Sequence, residues 1–398
     1  MGRHMVVERT SGAAQDDASM PDAQSVRPLR IVQVNSLLSG GGVDNQTLQL
    51  SAGLAALGQE VTLVIPEESR WAPLARGLGG VRVVWLPGRT NRPVGVGRAL
   101  ASLVRSFDAD VVHAHQGRDY WPAVLAARTS GRNTRAVVTR HLMKRPRALS
   151  RWLLLRTADV IAVSRAVEEV LRRDLIGPSD RLHVVHGGIE TDRFAPSPAG
   201  LRRELRSRFG WGERDVVFGV IGVFNHPRGK GQMEFLAAAR EVHAAFPEAR
   251  FAIVGRGSME ADLRERIRTS SLDGIATMVP FMDDVAGVMN ALDVVVHPAV
   301  GTEALGIVLW EALANGKPVI ASRLDGIPEA FEDGRHGLLV PPGDVAALAR
   351  AMEDLARDPQ ARRTLGEAGR AHVLARFTRS ESARRVLGIY RRICAGRL

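Results

Sequence analysis

The chain is poor in cysteine, in aromatics and in long apolar runs. One cysteine, Cys394, stands in 398 residues, so an intramolecular disulfide is impossible and a cysteine-built zinc site is ruled against. A reducing cytoplasm suits such a chain. Aromatics are only 5% of the residues, and no known nucleic-acid module can be read, which argues against a nucleic-acid partner. No stretch approaches the roughly 18–20 consecutive apolar residues that span a bilayer. Acid is also in deficit: 43 Asp and Glu against 54 Lys and Arg leave a formal charge of +11, which favours anionic partners such as nucleotides or phospholipid surfaces. Residues 1–28 are small and polar and lack the apolar centre of a signal peptide, so they read as a disordered or expression-derived leader.

With 45% apolar residues, a chain of this length can build two cores. Short β-branched runs begin at Leu29, Val61, Val81, Asp110, Ala136 and Val160, with helical segments between them, and a second series begins at Asp215, Ala249, Asp293, Lys317 and Gly337. Strands that alternate with helices form a parallel sheet covered on both faces, so two doubly wound α/β domains are expected. "FAPSPAG", residues 194–200, interrupts the periodicity and reads as the linker between domains at 29–193 and 201–378. Residues 379–398 carry Val386, Leu387, Tyr390 and Ile393 at helical spacing among arginines, an amphipathic C-terminal helix. Ligands of such domains bind in the cleft outside the C-terminal ends of the strands.

The stretch "GTEALGIVLWEALANGKPVIAS" holds Glu303 and Glu311 eight positions apart in an apolar setting. Buried carboxylates are costly unless paired, so they point to polar work. A helix is expected from about Leu305 to Asn315, stopped by Gly316. Its N-terminus offers unpaired N–H groups to a phosphate, with Gly306 letting the backbone come close. Glu311 suits the vicinal hydroxyls of a ribose, and Glu303 would stand beside the phosphate. The alternative is that Glu303 caps the helix and Glu311 is solvated on its outer face.

Other candidates cluster at strand ends. Arg228 and Lys230, in "FNHPRGKGQ", can neutralise a diphosphate leaving group, or form a solvated basic turn. His113 and His115 project to the same side of a strand, the second nearer the cleft. Gly41 and Gly42 precede a helix, with Asp44 and Asn45 as capping candidates, and would let backbone amides approach a phosphate. "DAD" at 108–110 has the spacing of an acidic metal motif but precedes its strand, at the wrong end of the sheet, so no metal ligand is assigned. "GRGSME" from Gly255 lacks the third glycine of a dinucleotide fingerprint.

"EALGIVLWEALANGKPV" resembles the E-x7-E signature of retaining glycosyltransferases of family 4, with Ala304 and Leu305 where the family commonly has Gly and Phe. "SGGGVDNQTLQL", "DVVHAH", "VVHGGIETDRFAP", "RGKGQMEFLAAA", "AIVGRGSMEADL" and "DGIPEAFEDGRHGLLVPPGD" follow in the family's order, and the resemblance runs from about residue 29 to 385. It implies the GT-B architecture, two Rossmann-like domains facing a central cleft. The implied activity is metal-independent, retaining transfer of a sugar from a nucleotide diphosphate sugar to a glycan, lipid-linked or small-molecule acceptor. It makes His115, Glu303, Lys230 and Arg228 catalytic, and puts Glu311, Leu305, Gly306, Ile307, Gly41 and Gly42 around the donor. Val223 stands where the family usually has an arginine, so Arg228 is expected to substitute. A non-catalytic nucleotide-sugar binder, or a phosphorylase or epimerase on this fold, is the competing reading.

Residues 135–158 hold seven Lys or Arg and no acid, with Trp152, Leu153, Leu154 and Leu155 interleaved. This pattern suits peripheral binding to an anionic membrane surface on the cytoplasmic side, where each cation contributes about 1 kcal/mol. Leucines turned into the core beneath a solvated basic face are the alternative. Membrane docking predicts that the protein sediments with anionic vesicles, is released by salt, and loses binding when Lys144, Arg145 and Arg147 become Ser. Equal recovery in the supernatant with and without anionic vesicles would decide for the solvated face.

Overall fold

The computed structural model describes residues 27–395 apart from 39, 87–92, 132, 145–153, 155, 174–178 and 283. The expected leader lies outside the described residues up to residue 26, as do residues 145–153 and 155 of the basic segment, although Leu154 is buried in the core. No helix among the described residues is long and apolar enough to cross a membrane.

The first sheet has seven parallel strands: β1 (Arg30–Val34), β2 (Glu60–Pro66), β3 (Val81–Leu86), β4 (Val111–Ala114), β5 (Arg135–Arg140), β6 (Asp159–Ala162) and β7 (Leu182–Val184), in the order β3-β2-β1-β4-β5-β6-β7. The second has six: β8 (Val216–Ile221), β9 (Ala249–Val254), β10 (Ala276–Val279), β11 (Val294–His297), β12 (Val319–Ser322) and β13 (Gly337–Val340), in the order β10-β9-β8-β11-β12-β13. This is the GT-B architecture. The central strands are buried on both faces, which is why they read as continuous apolar runs. β7 and β10 are additional to the runs read from sequence. Both are short edge strands, interrupted by His183 in β7 and by Thr277 in β10.

Chain order reverses between β1 and β4 and again between β8 and β11, and these two switch points open toward each other. Along the chain the described helices are α1 (Gly42–Ala56), α2 (Ala72–Arg76), α3 (Pro93–Ser106), α4 (Tyr120–Thr129), α5 (Arg165–Arg172), α6 (Ala199–Arg208), α7 (Gln232–Ala245), α8 (Glu260–Thr269), α9 (Val285–Ala291), α10 (Ile307–Ala314), α11 (Val345–Arg357), α12 (Pro359–Arg376) and α13 (Arg379–Cys394). Residues 194–198 have no regular structure but are held against the second domain, where Asn290 accepts from Ser197 N and donates to the Ala195 carbonyl.

After α12 the chain returns to the first domain. Ile189 and Thr378 form a parallel bridge, with Ile189 N donating to Phe377 O and Arg379 N to Ile189 O. Thr378 then caps α13 through a bond from Glu381 N. The apolar stripe of α13, Ala383, Val386, Leu387, Tyr390 and Cys394, packs with Leu29, Ile31, Leu54, Val61 and Val111 of the first domain.

One carboxylate clasps the domains. Glu329, from the loop after β12, accepts from Arg165 N and Ala166 N at the start of α5 and from His186 Nε2 at 2.8 Å. Burial raises its carboxyl, but the bond from His186 and the two amides outweigh it and hold it below the ordinary carboxylate range. A carboxyl so depressed stabilises the fold above its unfolded pKa and loses that contribution as pH falls through the folded one. Glu329→Ala should therefore cost about 1–3 kcal/mol in denaturant titration at neutral pH, and the difference from wild type should shrink in acid below about pH 4.5. An unchanged midpoint at pH 7 would remove the clasp.

Candidate active site

Between the two sheets lies a cavity of about 1150 Å³, lined from both domains by residues at the C-terminal ends of strands. Helix α10 forms one wall. It is apolar almost all round, and Leu309, Trp310, Ala312, Leu313 and Ala314 are buried against the second domain. Ile307, Val308 and Glu311 are left to face the cavity, a spacing that puts them on one side of the helix. Gly306 starts the helix at φ 73°, a left-handed conformation that favours glycine, and no side chain caps the end.

Glu303, in the loop from β11 to α10, accepts from Lys230 Nζ at 2.6 Å and from His297 Nε2 at 3.2 Å. Burial alone would raise its carboxyl, but the His297 bond and then the Lys230 charge pull it well below the ordinary carboxylate range. It therefore does not cap the helix. Glu311 is in the opposite state: burial pushes its carboxyl up to about 7, with only the Arg193 charge acting against it. Nor does it lie on a solvated outer face.

The facing wall comes from the first domain. Gly41 (φ 146°) precedes α1, and a Cβ placed on Gly42 would lie 3.4 Å from Ile307 Cδ1, so the N-termini of α1 and α10 meet across the cavity. Asp44 does not cap α1. It reaches back to Gly40 N and takes a bond from Asn35 Nδ2, which pins the glycine loop. His115, just past β4, lines the cavity, with its ring 4.3 Å from His113 and 5.9 Å from His141. Burial holds the imidazoles of His115 and His141 well below the ordinary range, so both are neutral at pH 7.

Two family profiles match the chain in succession, "Glycosyltransferase Family 4" over residues 40–193 and "Glycosyl transferases group 1" over 215–358. A phosphatidyl-myo-inositol mannosyltransferase of Mycobacterium leprae is 30% identical over 88% of this chain and 92% of its own. A GDP-mannose-dependent α-(1-6)-phosphatidylinositol monomannoside mannosyltransferase of Mycolicibacterium smegmatis is 31% identical over 80% and 79%. Among solved structures, HepE of Anabaena, crystallised with UDP and glucose, superposes with a TM-score of 0.78 at 20% identity, covering 91% of this chain and 99% of that one. The chain belongs to glycosyltransferase family 4.

Of the residues singled out from sequence, this glycosyltransferase brings His115, Glu303, Lys230, Glu311, Leu305, Gly306, Ile307, Gly41 and Gly42 to the cavity wall. Arg228 is not among them. The turn closed by Gly229 N to Asn225 O sends Lys230 inward, while the Arg228 guanidinium donates to the Val300 carbonyl on the exposed rim. Another cation, Arg256, stands near Val223 in the cavity wall. Its carbonyl accepts from Phe224 N, and its guanidinium lies in the cavity wall, 4.4 Å from the centre of the Phe281 ring. Arg256, His141 and His297 were missed, yet each stands at or just beyond a strand's C-terminal end, the signal that picked out His115. The Asp108–Asp110 pair lies at the other end of β4, where Arg27 and Arg30 bind it.

The two glutamates predict opposite pH behaviour. A raised carboxyl makes ionised Glu311 a cost to the fold: stability falls as pH rises from the unfolded value near 4.5 to about 7. Glu311→Gln should be more stable than wild type at pH 8, by about 1–3 kcal/mol, with the gap closing by pH 5. A constant difference across that range would put the Glu311 carboxyl at its ordinary value.

Proposed function

We propose that the cavity binds a nucleotide diphosphate sugar and that the protein passes its sugar to an acceptor hydroxyl with retention of configuration. The observation that carries this reading is the convergence of two helix N-termini and the Lys230 ammonium, a site built for a diphosphate, next to a carboxylate set for a ribose. Glu311 accepts the ribose hydroxyls. The N–H groups at the start of α10, the glycine loop before α1, Lys230 and Arg256 surround the phosphates. Glu303 holds Lys230 in place, and His115 approaches the sugar. Relatives with GDP-mannose or UDP in their descriptions support a nucleotide donor without choosing its base.

Charge grows on the diphosphate as the glycosidic bond breaks, so the cations and helix ends stabilise the transition state more than the ground state. The leaving phosphate oxygen takes the proton of the attacking hydroxyl on the same face, the oxygen–carbon bond forms, and the sugar keeps its configuration. No divalent ion is required in this scheme. Of the cavity carboxylates, Glu303 is paired with Lys230 and Glu190 with Arg379. A Glu332, His336 and His372 group whose ligand atoms lie within 4.8 Å of one another is not part of the cavity wall. A lipid-linked or cell-surface glycan is the acceptor class favoured, reached from the cytoplasmic face of a membrane.

Nucleotide release from UDP-, GDP- and ADP-sugars across an acceptor panel tests the reading, and release from none of them would end it. Glu311→Ala should weaken UDP or GDP binding by about 1–3 kcal/mol. Lys230→Ala should lower kcat far more than nucleotide affinity. Activity should survive a chelator. Loss on chelation with recovery in magnesium or manganese would refute the metal-independent scheme.

A further inference from the structure

Outside the cavity, three side chains with metal-binding chemistry meet behind the point where the chain crosses back to the first domain. Glu332, His336 and His372 each offer one ligand atom, and these atoms lie within 4.8 Å of one another. Glu332 and His336 belong to the loop between β12 and β13. Bonds from His336 N to Glu332 O at 3.1 Å and from Gly334 N to Gly337 O at 2.8 Å tie that loop to itself, so both side chains stand on fixed backbone. His372 comes from the end of α12, which Gly369 lets approach: a Cβ on that glycine would collide with the Leu313 side chain and come within 3.4 Å of the His336 carbonyl oxygen. The two imidazoles end with ring centroids 4.3 Å apart.

Tetrahedral zinc holds nitrogen and oxygen ligands at about 2.0–2.2 Å, which puts the donor atoms roughly 3.4 Å from one another. Side-chain rotation can close the gap from 4.8 Å, because Glu332 is exposed and long enough to supply most of the movement. Its carboxylate pairs with the exposed Arg335 through Oε2 at 2.9 Å, which leaves Oε1 for a metal. Neither ring nitrogen of His372 has a hydrogen-bond partner among the described residues. His336 accepts one bond, at Nδ1 from Glu332 N at 3.2 Å. Whichever nitrogen of that ring took a metal, this bond would be given up, because the other nitrogen must then carry the proton. Burial is the main cause that holds both imidazoles below their ordinary range, so each is a neutral lone-pair donor at pH 7. Two cations flank the group, Arg335 and Arg376, but both are exposed and solvent screens their repulsion of an ion. Two imidazoles and a carboxylate suit zinc, whereas magnesium and calcium take oxygen ligands.

We propose that Glu332, His336 and His372 form a binding site for one zinc ion, with water as the fourth ligand, that staples the end of α12 to the loop before β13. The ion is structural, since none of the three residues lines the cavity. Its place gives it leverage: the His372 ring also meets the edge of Phe377, centroids 5.4 Å apart, just where the chain turns toward the first domain. The site does not depend on the glycosyl-transfer reading above.

Calorimetric titration of the full-length, metal-stripped protein with zinc chloride tests the site. Wild type should take up an ion here with micromolar or tighter affinity, and His372→Ala and Glu332→Gln should each weaken that uptake by about 10-fold or more. His226→Ala, which removes an exposed histidine elsewhere, should leave it unchanged, and magnesium should not replace zinc. Zinc should also raise the thermal unfolding midpoint of wild type by about 5 °C, and not that of His372→Ala. Equal uptake by wild type and His372→Ala, or none by wild type at about 100 µM zinc, overturns the proposal. If His372→Ala does not fold, the same comparison with Glu332→Gln, at an exposed position, decides. Uptake with no shift in the midpoint would refute the staple.

Discussion

Trp310 lies flat on Phe377, ring centroids 4.2 Å apart and planes within 15°, and His186 of the first domain meets both rings edge-on. This cluster joins three things the cavity needs: the helix that carries Glu311, the point where the chain crosses back, and the wall of the opposite domain. Aromatic burial on this scale is among the larger single contributions a core can offer. Trp310 is fully buried and donates its indole N–H to the Ala330 carbonyl, so the helix cannot turn about its axis without leaving that group unpaired. Glu311, the next residue, is consequently held against the cavity at the cost of desolvating a carboxylate.

That cost is visible in the contrast between the two glutamates of the signature. Glu303 has a histidine and a lysine on one oxygen and is ionised at any working pH. Glu311 has no such partner and sits near its own titration midpoint at neutral pH. Two like residues eight positions apart are thus prepared differently by their surroundings, one to organise cations and one to receive hydrogen-bond donors. Separation of that kind is common where a site assigns different tasks to the same chemical group.

The opposite wall is held by polar contacts between distant segments. Asp44 and Asn35 pin the glycine loop, Gln46 bonds both the N–H and the carbonyl of Gly188, and the Tyr390 hydroxyl of α13 lies in hydrogen-bond distance of Gln33 in β1 and His113 in β4. Most buried polar groups there are satisfied by other protein groups, with His115 Nδ1 and His141 Nε2 as exceptions, which leaves few alternative arrangements. The first domain therefore presents a rigid face to a ligand, and the Glu329 clasp ties that face to the helix α10 side.

The sequence by itself determined the alternation of strands and helices, because strands buried on both faces must be apolar throughout. It also determined the start and stop of α10, since Gly306 and Gly316 both adopt left-handed φ that other residues avoid. It placed Glu303, Lys230, Glu311 and His115 at one edge of the sheets, because ligand-facing residues follow the C-terminal ends of parallel strands. The edge strands β7 and β10 escaped notice because each is short and is interrupted by a polar residue, His183 and Thr277. Only the tertiary structure decided that Lys230 turns inward while Arg228 lies on the rim, and that Arg256 joins the cavity wall. It alone brought Tyr390 to Gln33, 357 positions away, and to His113, 277 away. Local pattern reports the face on which a side chain lies. Which hydrogen bond that side chain makes depends on what the rest of the chain packs against it, and no period in the sequence records that.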